Sequence, residues 1–192
     1  MTPTTVAVGS PRRTIDGFGT AGLVAAGVGV LLLRALLLES RFGGAELALV
    51  YVLLGLAFVR FPAPTDRGAA LRPAWVIAIG LAGVALAAAS SGPSLEVPHG
   101  AGVLALNSLA AVSEEIFFRR YLYGRLVHFG PAVAIAITAL LFAVVHVPVY
   151  GAHVFWVDLG AGLLLSWQRW ASGGWAGPAV THVGANILAM LR

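Results

Sequence analysis

The side chains that could do chemistry in this sequence fall into three short groups, each inside or at the end of an apolar stretch. They are Glu114, Glu115 and Arg119; Phe142 and His146; and His182 and Asn186. Each group contains two residues four positions apart, which a helix places on one face. A charged residue at the centre of a membrane helix costs roughly 2.5 to 3.5 kcal/mol, so such residues are retained mostly where a function needs them.

The adjacent carboxylates Glu114 and Glu115 have different local partners. Arg119 follows Glu115 by four residues, so these two can form an ion pair that lets both charges lie at membrane depth. Glu114 is rotated by about 100° from its neighbour and has no partner in its own helix. Since an unpaired buried carboxylate suits a general acid or base, we expect a functional role for Glu114 and a structural one for Glu115 with Arg119.

The two histidines favour a buried polar site. A lone histidine such as His146 is consistent with either packing or catalysis. His182 and Asn186 share a helix face, need hydrogen-bond partners inside a bundle, and have Glu114 and His146 as candidates. A carboxylate and an imidazole can activate a water molecule, while His and Asn donors stabilise an oxyanion. Alternatively, Glu114, His146 and His182 could hold Zn²⁺ with an open position for water.

Composition indicates that these groups lie in a membrane protein. Hydrophobic residues make up 59% of the 192 and charged residues 10%, whereas soluble domains are about one quarter charged. The mean hydropathy is +0.90, more apolar than one core of this size could bury. The net charge of +4 comes from twelve arginines dispersed in short loops, which argues against a nucleic-acid partner. The absence of cysteine excludes disulfides and thiolate chemistry.

Seven apolar segments follow one another along the chain and predict the scaffold. They span residues 18–38, 45–59, 74–89, 103–126, 133–149, 155–167 and 178–191. We predict an all-α, polytopic transmembrane bundle of about seven helices, forming a single domain over 17–192 with a flexible cytoplasmic tail at 1–16. The arginine distribution favours a cytoplasmic N-terminus. Arg34 is expected to snorkel towards the membrane surface, and Asp158 to be an interfacial or helix-start residue.

The three groups, in this order, resemble the EExxxR, FxxxH and HxxxN motifs of the CPBP family of CAAX-protease, bacteriocin-processing (Abi-type) intramembrane peptidases. The resemblance covers about residues 103–190, a segment expected to be the protease-like core. It implies that Glu114 activates the water and His146 assists. It also implies that His182 and Asn186 line the oxyanion site, with Glu115, Arg119 and Phe142 in support.

Three functions stay open from the sequence. The first is an intramembrane endopeptidase, glutamate- or metal-dependent, that cleaves a membrane-associated peptide or protein in a bacterial cell membrane. The second is a proton- or ion-coupled transporter, for which buried Glu, His and Arg are equally ordinary. Transporters usually carry paired repeats, whereas the polar residues here gather in the second half of the chain. The third is a non-catalytic, CPBP-like scaffold or immunity protein.

Overall fold

The computed structural model describes residues 17–38, 43–62, 71–90 and 100–191. Within these ranges the chain forms seven helices, and the described residues include no strand. The helices are α1 (Gly17–Leu37), α2 (Gly43–Val59), α3 (Pro73–Ser90), α4 (Ala101–Phe129), α5 (Pro131–Tyr150), α6 (Phe155–Ser172) and α7 (Ala176–Met190). The predicted all-α bundle of about seven helices is confirmed. The tail predicted at 1–16 lies outside the described residues.

Three of the helices are long and apolar enough to cross a membrane by length and composition. They contain the stretches Gly19–Leu37, Ala101–Phe129 and Pro131–Tyr150. Two shorter apolar stretches, Gly43–Val59 and Pro73–Ala89, lie beside them. Large apolar side chains also point away from the bundle on several helices. Such an outer surface suits lipid and not water, as expected of an integral membrane protein.

Helix α4 changes its winding immediately after the two carboxylates. It is α-helical from Ala101 to Glu115, then π-helical over Ile116–Leu122, and closes with short α-helical and 3₁₀ turns. The wider π turns change the backbone hydrogen bonding, and the Arg119 carbonyl accepts a bond from the Arg169 side chain at 3.0 Å. Single π-helical segments are found mostly at functional sites.

Helix α5 continues through Pro148 to Tyr150. It begins after Gly130 and ends before Gly151, and both glycines have positive φ angles, of 105° and 90°. Only glycine adopts such angles without strain. Because the helix extends past the proline, His146 lies within a regular helical turn and faces the bundle interior.

Close interhelical contacts hold α5, α6 and α7 together around a common interior. A Cβ atom on Gly162 of α6 would lie 2.9 Å from the Cα of Ala139 in α5. On the other side of α6, the buried Gln168 amide donates to the Val76 carbonyl of α3 at 2.7 Å and to the Thr181 hydroxyl of α7 at 2.9 Å. Small residues and interhelical hydrogen bonds are the usual means of packing membrane helices.

Candidate active site

A cavity of about 930 Å³ lies between the helices. Its wall includes all four side chains predicted to be catalytic, together with two charged residues for which no such role was expected. The predicted four are Glu114, His146, His182 and Asn186, and the two others are Arg34 and Asp158. Helices α4, α5 and α7 thus bring the three sequence groups together in one space.

Glu114 pairs with Arg34 from α1. The Nη1 group of Arg34 donates to Oε1 of Glu114, and both side chains are only 3% exposed. The same guanidinium lies 3.4 Å from the Tyr51 hydroxyl and donates to the Val145 carbonyl at 3.4 Å. The expectation that Arg34 snorkels is therefore wrong. A buried carboxylate and further acceptors satisfy the guanidinium inside the bundle, so its charge need not reach the membrane surface.

His146 faces the other oxygen of Glu114. Its Nε2 lies 3.6 Å from Oε2 of Glu114, and its Nδ1 lies 2.7 Å from the Phe142 carbonyl. A carbonyl only accepts hydrogen bonds, which assigns the proton of the neutral ring to Nδ1 and leaves a lone pair on Nε2. Two acceptors then face each other at a distance too long for a direct hydrogen bond. A water molecule donating to both would satisfy them.

Glu115 holds a second, separate set of partners. Its Oε1 accepts from Nη1 of Arg119 at 2.9 Å and lies 3.0 Å from Nδ1 of His182. The expected ion pair between Glu115 and Arg119 is present, with both side chains fully buried. His182, for which Glu114 was a candidate partner, bonds to Glu115 instead. Each of the two adjacent carboxylates therefore faces one of the two histidines, and only Glu115 is hydrogen-bonded to its histidine.

Asn186 lies one turn after His182 on α7. Its Nδ2 donates to the backbone carbonyl of Asn107 in α4 at 3.1 Å. This bond uses one of the two amide hydrogens, so a second N–H and the side-chain oxygen remain for a ligand in the cavity. The pair on α7 therefore offers hydrogen-bonding groups across the cavity from Glu114 and His146.

Phe142 separates the two histidines. Its ring centroid lies 4.5 Å from that of His146 and 5.5 Å from that of His182. The Arg119 guanidinium stacks over the same ring at 4.6 Å. An aromatic ring in contact with both imidazoles and with a cation limits how far each can move, which suits the supporting role expected for Phe142.

The residues considered for zinc do not fit a metal site. Among the described residues, no group of three or more His, Asp or Glu side chains is arranged to hold a metal ion. Arg34 also takes one oxygen of Glu114, which leaves a single carboxylate oxygen there for any other partner. A catalytic zinc site needs three protein ligands on one centre, and Glu114, His146 and His182 do not supply them.

Two residues of the cavity wall had no predicted part in the site. The sequence did contain a sign that Arg34 has a partner, because a charge inside an apolar segment is costly unless it is paired. The partner itself lies far along the chain and could not be identified. Asp158 lies in the first turn of α6, as expected of a helix-start residue, and also lines the cavity. Nothing in the local sequence indicated that this turn faces inward.

Comparison with known proteins gives a family match. Residues 98–188 match the family model described as type II CAAX prenyl endopeptidase Rce1-like. Neither a curated protein nor a solved structure matches the chain significantly. The matched residues include α4, α5 and α6 and most of α7, and leave out α1, which carries Arg34.

Proposed function

Because the chain belongs to the CAAX-protease (CPBP) family through residues 98–188, we propose that it is an intramembrane endopeptidase using a water activated between Glu114 and His146. The observation that carries this proposal is the 3.6 Å separation of Glu114 Oε2 and His146 Nε2 at the cavity wall. Two acceptors at that distance suit a water that donates to both. Such a water is held in the arrangement that general-base catalysis requires.

The proposed reaction needs no covalent enzyme intermediate. Glu114 Oε2 accepts one proton from the water, with His146 Nε2 holding the other hydrogen, as the water oxygen bonds to the carbonyl carbon of the scissile peptide. The resulting oxyanion takes a hydrogen bond from the free Asn186 N–H, and a second from His182 Nε2 when that ring is an imidazolium. That proton then passes to the leaving nitrogen as the C–N bond breaks, which gives a carboxylic acid and an amine.

The environment of the site favours a substrate that arrives from the membrane. CAAX-family proteases act on membrane-associated proteins, and the cavity wall includes apolar side chains of α5, α6 and α7 beside the polar group. We propose a peptide segment of a bacterial membrane-associated protein as the substrate, cleaved by an enzyme whose N-terminus is cytoplasmic.

The test compares membrane-protein fragments in cells that carry the native chain or a variant. Glu114→Gln and His146→Ala should each remove the fragments that the native chain produces. His128→Ala is the matched control, because His128 is exposed at the end of α4 and does not line the cavity. Identical fragment sets for native and His146→Ala cells would overturn the proposal. A proton flux in proteoliposomes that disappears in the same variants, without any cleavage, would identify a transporter instead.

A further inference from the structure

Asp158 is a half-buried carboxylate for which the proposed reaction has no use. It lies in the first turn of α6 and lines the same cavity as Glu114 and His182. Its Oδ2 is enclosed and has no hydrogen-bond partner within the described part of the chain. Leaving a buried charged acceptor unsatisfied is costly, and native proteins have few such groups. Because Asp158 lines the cavity, a ligand bound there could supply the missing donor.

The other charges of the cavity wall are already neutralised. Arg34 is committed to Glu114, with Tyr51 and the Val145 carbonyl as its further partners. His182 is bonded through Nδ1 to Glu115, which also holds Arg119. Among the described charged residues of the wall, Asp158 alone lacks a counterion, although it lies within electrostatic reach of Glu114, His182 and Arg34. The cavity therefore carries one unbalanced negative charge at this point.

Aromatic side chains line the same cavity as Asp158. Tyr150 lines the cavity, lies within electrostatic reach of Asp158, and stacks its ring on His146 at 5.8 Å. Trp156, two residues before Asp158, is another lining residue. A carboxylate and aromatic rings on the wall of one cavity are groups that recognise an organic cation. A hard metal cation would need several oxygen ligands, and no group of three acidic or histidine side chains among the described residues is arranged to hold one.

We propose that Asp158 forms a subsite for a cationic side chain of the substrate, an arginine or a lysine next to the scissile bond. The contact of Tyr150 with His146 places this subsite beside the water-activating pair. A basic residue bound there is neutralised by Asp158 and fixes the register of the peptide against Glu114. The inference rests on the proposed peptidase function and adds its substrate class.

The test uses a set of membrane-inserting peptides in which one position at a time carries arginine or its neutral isostere citrulline. The native protein in nanodiscs should cleave the best arginine peptide with kcat/KM about tenfold or more above its citrulline partner, because removing one member of a buried charge pair is costly. Asp158→Asn, which keeps the side-chain shape, should reduce this preference to about twofold or less. Equal cleavage of both peptides by the native protein would overturn the subsite.

Binding measurements separate this inference from the proposed function. The same peptide pairs are titrated against His146→Ala and against His146→Ala with Asp158→Asn, with thermal unfolding of each variant as a check on folding. Arginine-selective binding that needs Asp158 would support the subsite even if no peptide were cleaved, an outcome that would overturn the peptidase function alone. If Asp158→Asn fails to fold, Asp158→Ser with a smaller side chain takes its place. Equal affinity of every variant for the arginine and the citrulline peptide would overturn the subsite.

Discussion

Arg34 and Glu114, eighty residues apart in the chain, form a buried ion pair on the wall of the candidate active site. Arg34 lies on α1, outside the residues 98–188 that match the CAAX-protease family model. The carboxylate proposed to activate water is therefore positioned by a helix that the family match does not include. One oxygen of Glu114 is held by Arg34, which leaves the other to face His146.

The first prediction concerns the stability of this pair. Arg34→Leu should lower the free energy of unfolding by about 3 to 5 kcal/mol, because it leaves the Glu114 carboxylate buried without a counterion. The measurement is equilibrium unfolding in detergent micelles or nanodiscs. Arg34→Leu combined with Glu114→Leu should recover most of the loss, because neither charge is then left unpaired. A single Arg34→Leu variant as stable as the native protein would contradict the pairing.

The second prediction separates the two adjacent carboxylates. Glu114→Gln and Glu115→Gln should both reduce stability, since each leaves an arginine buried beside a neutral amide, Arg34 in one case and Arg119 in the other. Sequence analysis predicted a functional role for Glu114 and a structural one for Glu115, and the pairing with Arg34 adds a structural role for Glu114. Activity per folded molecule should differ. Glu114→Gln should abolish it, whereas Glu115→Gln should retain a part, because the glutamine oxygen can still accept from His182.

This difference is checked by measuring peptidase activity on the folded fraction. The double variant Arg119→Leu with Glu115→Leu serves as a further stability control. Equal and complete loss of activity in both variants would assign the two carboxylates the same role.

Local spacing explains which parts of the site could be predicted from the sequence. The Glu115–Arg119 ion pair follows from residues four apart on one helix, and the structure has it at 2.9 Å. The helical segments followed from the apolar runs along the chain. The partner of Arg34 could not be predicted, because nothing local relates a residue of α1 to one of α4. The cost of burying the charge of Arg34 indicates that it has a partner but does not say which residue that partner is.

The partner of His182 shows the same limit in another form. Helical spacing placed His182 and Asn186 on one face but could not decide between two adjacent carboxylates on a different helix. That choice depends on how α7 packs against α4, where the Asn186 amide bonds to the Asn107 carbonyl. The inward orientation of Asp158 likewise depends on the packing of α6 and not on its neighbours in the chain.

The third prediction concerns the oxyanion site. Asn186→Ala should reduce kcat by roughly 10² to 10³ while KM changes little, as is typical when one oxyanion donor is removed. Asn186→Asp has nearly the same size and cannot donate when ionised, so it should lose activity to a similar extent. Steady-state kinetics in nanodiscs on the peptide identified above provide the measurement. A rise in KM with an unchanged kcat would instead assign Asn186 to ground-state binding.

The fourth prediction concerns metal dependence. Prolonged dialysis against a chelator should leave peptidase activity unchanged, because Glu114, His146 and His182 do not converge on one centre and no other three-ligand group exists among the described residues. Activity and bound metal are measured on the same samples, before and after dialysis. A loss of activity that Zn²⁺ restores would show that the ligands rearrange around a metal in the working enzyme.

The fifth prediction tests the packing that forms the cavity wall, using two glycines of the same helix. A Cβ on Gly162 of α6 would lie 2.9 Å from the Cα and 3.0 Å from the carbonyl oxygen of Ala139, whereas a Cβ on Gly160 would meet nothing within 4 Å. Backbone atoms cannot move aside cheaply, so Gly162→Ala should separate α5 from α6 and cost about 1 to 3 kcal/mol. The same shift would weaken the bond from Arg119 to the Gly162 carbonyl, which is 3.1 Å long.

Gly160→Ala is the matched control and should be neutral or stabilising by up to about 1 kcal/mol, since alanine favours a helix more than glycine does. Unfolding of the two variants in the same detergent gives the comparison. Because Gly162→Ala displaces α5, which carries His146, it should also lower kcat in the fraction that remains folded. Equal stabilities for the two variants would mean that α5 and α6 do not meet at Gly162 and Ala139. That result would also contradict the placement of His146 by the packing of α5 on α6.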